Sequence, residues 1–229
     1  MIDPGTMAAV VVAAGESRRF GGDKLFARLG GRAVLFWSLA ALERSPRVSR
    51  VVLVLSDTNL KRGRRLVARY GLQKVQAVCR GGSRRQDSVW SGLQEVAGWE
   101  WVAVHDGARP FLTPDLLERG FDVARTIGAA VAAVPVKDTV KVVDGAKLIQ
   151  STPRRANLWA AQTPQIFRYE QIVDAYRRCG SEDATDDAEL LERSGQPCAV
   201  FLGSYENLKI TTTEDLTMAR LIARQRRCP

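Results

Sequence analysis

Val10-Val11-Val12-Ala13-Ala14-Gly15-Glu16-Ser17-Arg18-Arg19-Phe20-Gly21-Gly22-Asp23-Lys24 starts as an apolar run and then turns polar and cationic. Successive apolar residues from Ala8 to Ala14 predict a strand buried on both faces, as in a parallel sheet. Gly15 breaks the run into a loop that closes on Lys24, ahead of a helix beginning near Ala33. The small side chains of Ala13, Ala14 and Gly15 let a planar base or a phosphate approach the backbone. Arg18, Arg19 and Lys24 bring positive charge to where a polyphosphate would lie. Such a loop suits a nucleoside triphosphate. A plain strand-to-helix turn with solvated basic residues accounts for the same composition.

Two commoner motifs do not fit. A Walker loop needs Gly, four residues and then Gly-Lys-Ser/Thr, a spacing absent from Gly15 onward. A dinucleotide fingerprint has glycines at its first, third and sixth places, where this chain has Gly15, Ser17 and Phe20. That weakens an NAD(P)-dependent oxidoreductase. What remains is Ala-Ala-Gly-x-x-x-Arg followed by a lysine, which resembles the signature of nucleotidyltransferases acting on sugar and polyol phosphates.

The 229 residues, 45% hydrophobic and 26% charged, suffice for one sizeable α/β domain. No apolar run approaches the roughly 20 residues of a membrane helix, and no signal peptide is evident, so no membrane partner is expected. Met1–Thr6 reads as an extension upstream of Met7, leaving a single domain over 7–229. The net charge of +9 raises the alternative of a nucleic-acid-binding α/β protein. Its basic residues are dispersed, however, apart from Lys61–Arg65 and Arg224–Arg227, and no aromatic stacking pattern accompanies them. A basic surface also attracts small polyanionic substrates, and no nucleic-acid partner is expected. Cys79, Cys179, Cys198 and Cys228 are scattered without a C-x-x-C pair, which fits a reducing cytoplasm rather than a zinc site or disulfide framework.

Further along, strands are expected at Val51–Leu55, Lys74–Val78, Trp101–Val104, Ala129–Val134 and Cys198–Leu202. Helices are expected at Ala33–Glu43, Thr58–Tyr70, Val89–Ala97, Pro114–Ile127, Arg168–Cys179 and Glu214–Arg226, with another starting at Thr185–Glu189. This alternation predicts a mostly parallel sheet with ligands at the strands' carboxyl ends. Three loops there carry chemistry. Arg80-Gly81-Gly82-Ser83 offers backbone amides beside a helix N-terminus, with Ser88 able to meet a base and Ser83 able to cap the helix. His105-Asp106-Gly107-Ala108-Arg109-Pro110 places a carboxylate at a strand end, where it accepts sugar or polyol hydroxyls, and an arginine for phosphate. His105 itself reads as a packed residue. Asp186 and Asp187 read as ordinary helix-start acids, not a metal pair. Between Asp138 and Gln150, Asp144-Gly145 separates β-branched runs and predicts a two-residue hairpin turn. A lone ribbon is marginal in water, so this one is expected to lie against a second subunit.

Ala13-Ala14-Gly15 with Arg19 and Lys24, Gly81-Gly82 with Asp87-Ser88-Val89, His105–Pro110, Asp138-Thr139-Val140-Lys141, Gln162-Thr163-Pro164-Gln165 and Asn207-Leu208-Lys209-Ile210-Thr211 occur in that order. Together they resemble the 2-C-methyl-D-erythritol 4-phosphate cytidylyltransferase family of the non-mevalonate isoprenoid pathway. The resemblance implies a Rossmann-like nucleotidyltransferase fold, CTP as donor, and Mg2+ held mainly by the CTP phosphates. It also implies a homodimer built with an arm over about 137–158. By position, Ala13, Ala14, Gly15, Gly82, Ser83, Ser88 and Asp106 would hold CTP. Arg19, Lys24 and Lys209 would act on the reacting phosphates. Asp106, Arg109, Thr139, Thr163 and Lys209 would surround the acceptor phosphate, with Arg155 arriving from the partner. Val12, Ser17 and Ser83 depart from the commoner proline, glycine and aspartate. Related cytidylyltransferases for other polyol phosphates, such as ribitol 5-phosphate, share most of these motifs.

Overall fold

A computed structural model describes residues 5–15, 18–180 and 182–226. Of the N-terminal extension only Gly5 and Thr6 fall within these. Ser17, the Arg18 side chain, Arg227 and Cys228 lie outside the described residues. The opening apolar run forms β1 (Met7–Ala13). A short ribbon of β2 (Arg28–Leu29) and β3 (Arg32–Ala33) leads into α1 (Val34–Arg44). There follow β4 (Val48–Leu55), α2 (Leu60–Tyr70), β5 (Val75–Arg80), α3 (Arg85–Gln94) and β6 (Trp101–Asp106). Next come α4 (Pro114–Ile127), β7 (Ala129–Pro135), and the exposed ribbon of β8 (Val142–Val143) and β9 (Ile149–Ser151). The chain ends with β10 (Trp159–Arg168), α5 (Tyr169–Cys179), α6 (Asp187–Arg193), β11 (Ala199–Leu202) and α7 (Thr213–Gln225).

The main sheet has the order β11-β7-β10-β6-β1-β4-β5, and β1 lies parallel to both β4 and β6. β1 has no polar face because both sides are covered. Ala9, Val11 and Ala13 join the core cluster of α1 and α4, while Ala8 and Val10 join that of α3, α5 and α6. From β1 the chain crosses to β4 on one side. After β5 it returns across the sheet to β6 on the other. The loops following β1 and β6 therefore diverge, which opens a crevice at the carboxyl ends of the strands.

Three local features differ from the sequence reading. β10 runs antiparallel between β6 and β7, with a register shift between Ala161 and Gln165. Gln162, Thr163 and Gln165 are buried in it, so its buried stretch shows neither an apolar run nor clean alternation. α3 starts at Arg85 rather than Val89, because the Asp87 carboxylate accepts from the Arg84 backbone N–H at 3.0 Å and from Ser83 Oγ at 3.0 Å. Arg84, not Ser83, is the cap residue. The ribbon is also not closed by a two-residue turn. The Lys147 N–H donates to the Asp144 carbonyl, Lys147 has φ 63°, and the Ala146 and Leu148 N–H groups donate to the Asp144 carboxylate. This is a turn followed by a left-handed residue, the next commonest hairpin solution. The arm stands free of the rest of its chain, with Leu148 65% and Ile149 63% exposed.

Candidate active site

The crevice contains a cavity of about 520 Å³ lined by Ala13, Ala14, Gly15, Lys24, Gly82, Ser83, Ser88, Asp106 and Lys209, among others. The loops after β1 and β5 fit closely. A Cβ on Gly81 would stand 2.4 Å from Ala14 Cβ, and one on Gly82 only 2.3 Å from Asp87 Cβ. Both positions thus need glycine for the backbone to form the wall. Ser88 lies inside α3 and its hydroxyl is committed: it accepts from the Gly82 N–H at 3.1 Å and donates to the Arg84 carbonyl at 3.2 Å. It shapes the wall and braces the loop.

A second cavity of about 240 Å³ adjoins the first and is lined by Arg109, Gln162, Thr163, Gln165, Thr185 and Asp186, with Arg85, Asp106 and Lys209 common to both. Asp106 sits at this junction, 6% exposed. One oxygen meets Arg85 Nε at 3.4 Å; the other meets Arg109 Nε at 3.4 Å and Lys209 Nζ at 3.0 Å. Burial opposes its ionisation, but Arg85, Lys209 and Arg109 outweigh that and hold its pKa well below the usual carboxylate range. Burial lowers the pKa of Lys24, and the neighbouring charge of Lys209 lowers it further.

A line of hydrogen bonds runs beneath Asp106. The Asp106 N–H donates to Thr163 Oγ1 at 3.0 Å, so that hydroxyl directs its proton to His105 Nδ1 at 3.0 Å. His105 Nε2–H then donates to the Arg109 carbonyl at 3.2 Å. His105 is fully buried, and burial pushes its pKa down to about 4. It is packed, as the sequence predicts, and neutral. Arg109 Nη1 donates to the Asn207 carbonyl at 2.8 Å, and Asn207 Nδ2 donates to the Thr163 carbonyl at 2.8 Å. The loops after β6 and β11 are thereby tied to β10.

Arg85 escapes the sequence reading, and Asp187, read there as an ordinary helix-start acid, is instead its buried partner. Asp187 is fully buried, accepting from Tyr176 Oη at 2.6 Å and pairing with Arg85 Nη2 at 2.8 Å. Asp186, its neighbour, is the helix cap. The signal available was an arginine in the Gly-Gly loop, indistinguishable by type from Arg80 and Arg84. Arg19 is exposed and lines neither cavity, though its charge acts on Lys24. Thr139 and Arg155 are likewise exposed and outside both cavities; Arg155 Nη1 donates to the Lys137 carbonyl at 2.8 Å. Within one chain, the fold does not bring these three to the junction. Among the described residues, no cluster of three or more His, Cys, Asp or Glu could hold a metal, and no helix is long and apolar enough to cross a membrane.

The chain matches the family model described as 2-C-methyl-D-erythritol 4-phosphate cytidylyltransferase over residues 7–225. It is 49% identical over 222 residues to the protein of that name from Dehalococcoides mccartyi, covering 96% of this chain and 97% of the relative. The crystal structure of 4-diphosphocytidyl-2C-methyl-D-erythritol synthase from Anaerococcus prevotii is similar with TM-score 0.87 and 29% identity, over 97% of this chain and 98% of that one. The crystal structure of the cytidylyltransferase from Thermus thermophilus is similar with TM-score 0.75 and 33% identity, over 96% and 99%.

Proposed function

The chain belongs to the 2-C-methyl-D-erythritol 4-phosphate cytidylyltransferase family, and from that membership we propose how its residues carry the reaction. CMP passes from CTP to 2-C-methyl-D-erythritol 4-phosphate, giving 4-diphosphocytidyl-2-C-methyl-D-erythritol and pyrophosphate. One observation carries the assignment of parts: Arg85, Asp106 and Lys209 line both cavities. The larger cavity takes the nucleotide and the smaller one the acceptor, so the two phosphates meet at the shared wall.

The acceptor's phosphate monoester oxygen attacks the α-phosphorus in line, and the bond to the departing pyrophosphate breaks. A monoester's second pKa is about 6, so the nucleophile is already largely dianionic at neutral pH. No general base is needed. That agrees with His105, whose two ring nitrogens are both engaged inside the core. The barrier is the approach of two anions. Lys24 and Lys209 offset it as charge builds on the α-phosphate, and Arg19, outside both cavities, adds positive charge beside Lys24. Backbone around Ala13, Ala14, Gly15, Gly82 and Ser83 cradles the cytidine. Arg109, with Thr163 holding Asp106 in place, orients the acceptor. Thr139 and Arg155 complete the acceptor side from a partner's arm, which gives the free ribbon its role.

Mg2+ belongs with the nucleotide in this reading. Both oxygens of Asp106, the carboxylate at the junction, are already taken by cations, so the residues fit a metal carried on the triphosphate better than one resident in the protein. The ion would neutralise phosphate charge there. The test is pyrophosphate release with CTP, Mg2+ and a panel of polyol phosphates. Turnover with 2-C-methyl-D-erythritol 4-phosphate well above that with ribitol 5-phosphate supports the acceptor assignment. The opposite preference overturns it.

A further inference from the structure

Away from the crevice, Arg28 and Arg32 of the β2–β3 ribbon and Arg62, Arg65 and Arg69 of α2 surround a cavity of about 320 Å³ that no carboxylate lines. Cytidylyl transfer makes no use of this basic stretch of α2. Among the described residues, Arg62 alone of the five arginines has a carboxylate partner, Asp23 at 2.7 Å. Three of them lie against rings: Arg62 is 3.9 Å from the Phe26 centroid, Arg32 4.5 Å from that of Phe36, and Arg69 5.7 Å from that of Tyr70. A guanidinium stacked by its face keeps its in-plane N–H donors for other partners and loses less freedom on using them. So many like charges around so small a space repel one another, and a multiply charged anion relieves that repulsion.

We propose that this cavity is a second anion site, for a short inorganic oligophosphate of the triphosphate type. The shape and the rings decide against larger polyanions. Single-stranded nucleic acid needs a basic track with aromatic faces free for bases, whereas here guanidiniums already cover the rings around a small, open concavity of about 320 Å³. An anionic membrane surface engages basic faces that also carry apolar side chains to insert. None of the exposed large hydrophobics lies on α2 or on the β2–β3 ribbon. The site does not rest on the assignment of the crevice, to which it connects through the Arg62–Asp23 pair.

The experiment titrates the full chain with sodium tripolyphosphate by calorimetry, without Mg2+, in three forms. The wild type is compared with R28A/R65A/R69A and with K24A/K209A, which removes two cations from the crevice. Arg62 is left intact because Asp23, its partner, caps the turn carrying Lys24. The wild type should show two binding events. The arginine variant should lose or weaken at least about tenfold the one at this site, as loss of several charge-assisted hydrogen bonds requires, and keep the crevice event, while K24A/K209A keeps this site. R65K/R69K, which retains charge but not the planar fork, should fall between. Both binding events undiminished in R28A/R65A/R69A, or no binding at all in K24A/K209A, would overturn the proposal. So would tight binding of a single-stranded RNA 20-mer to this face with none of tripolyphosphate.

Discussion

Lys209 Nζ lies 3.0 Å from Asp106 Oδ2, at the wall that the two cavities share. Asp106 also receives Arg85 and Arg109, so one carboxylate gathers three cations and leaves the junction electropositive. The carboxylate fixes where the positive charge stands before any substrate arrives. Preorganisation of this kind avoids reorienting charge during the reaction.

Lys24→Ala and Lys209→Ala should each lower kcat by roughly 10²–10³-fold, the scale for losing one preorganised donor to the transition state. Both side chains are partly exposed on cavity-lining loops, so circular dichroism and Tm should stay near wild type. Near-full turnover in either variant would remove that lysine from the reacting phosphates.

Nucleotide affinity should fall as pH rises through the alkaline range. In the free protein, burial and Lys209 lower the pKa of Lys24, whereas a bound triphosphate favours its charged form and raises it. Binding between those two pKa values therefore takes up a proton. Calorimetry of CTP binding in buffers of different ionisation enthalpy should show the uptake. Lys24→Arg, whose guanidinium does not titrate there, should abolish it.

His105 should make the fold acid-sensitive. Its pKa is about 4 in the folded protein against about 6.5 unfolded. Between those values the unfolded chain binds the extra proton, so stability rises with pH across this window and is lost as pH falls. From pH 6.5 to pH 5 the loss is roughly 1.5 kcal/mol, measurable by urea unfolding. As this is the lone histidine, His105→Gln should flatten the slope over that range.

The arm should complete a neighbour's site. Arg155 lies outside both cavities of its own chain, and the exposed β8–β9 ribbon needs a surface to cover it. Lys24→Ala and Arg155→Ala homodimers should each be nearly inactive. After subunit exchange about half the dimers are mixed, each with one intact site, giving roughly a quarter of wild-type activity. Exchange confirmed by mass spectrometry with no regained activity would mean that Arg155 acts within its own chain or has no part.

Much of this site was legible in the sequence because its parts sit at the ends of buried strands. Ala13-Ala14-Gly15 and Asp106 follow apolar runs whose positions fix them at the carboxyl edge. The Arg85–Asp187 pair was not legible, since it joins residues 102 positions apart and neither lies in a distinctive local pattern. β10 was hidden by its buried glutamines and threonine, whose hydrogen bonds to other loops replace the expected apolar pattern. The Asp144-Gly145 turn misled because the Asp144 side chain, rather than a left-handed Gly145, organises the loop.

Attack on the α-phosphorus of CTP at the Lys24–Lys209 junction is tested most directly by isotope transfer. The enzyme is incubated with 2-C-methyl-D-erythritol 4-phosphate, Mg2+ and CTP labelled with 32P at either the α or the γ position. All α-label should appear in the cytidyl diphosphate ester and all γ-label in pyrophosphate, with ATP, GTP and UTP far poorer donors because a backbone-lined slot rejects the wrong base. Label passing from the γ position to the acceptor, or comparable turnover with ATP, would contradict the account.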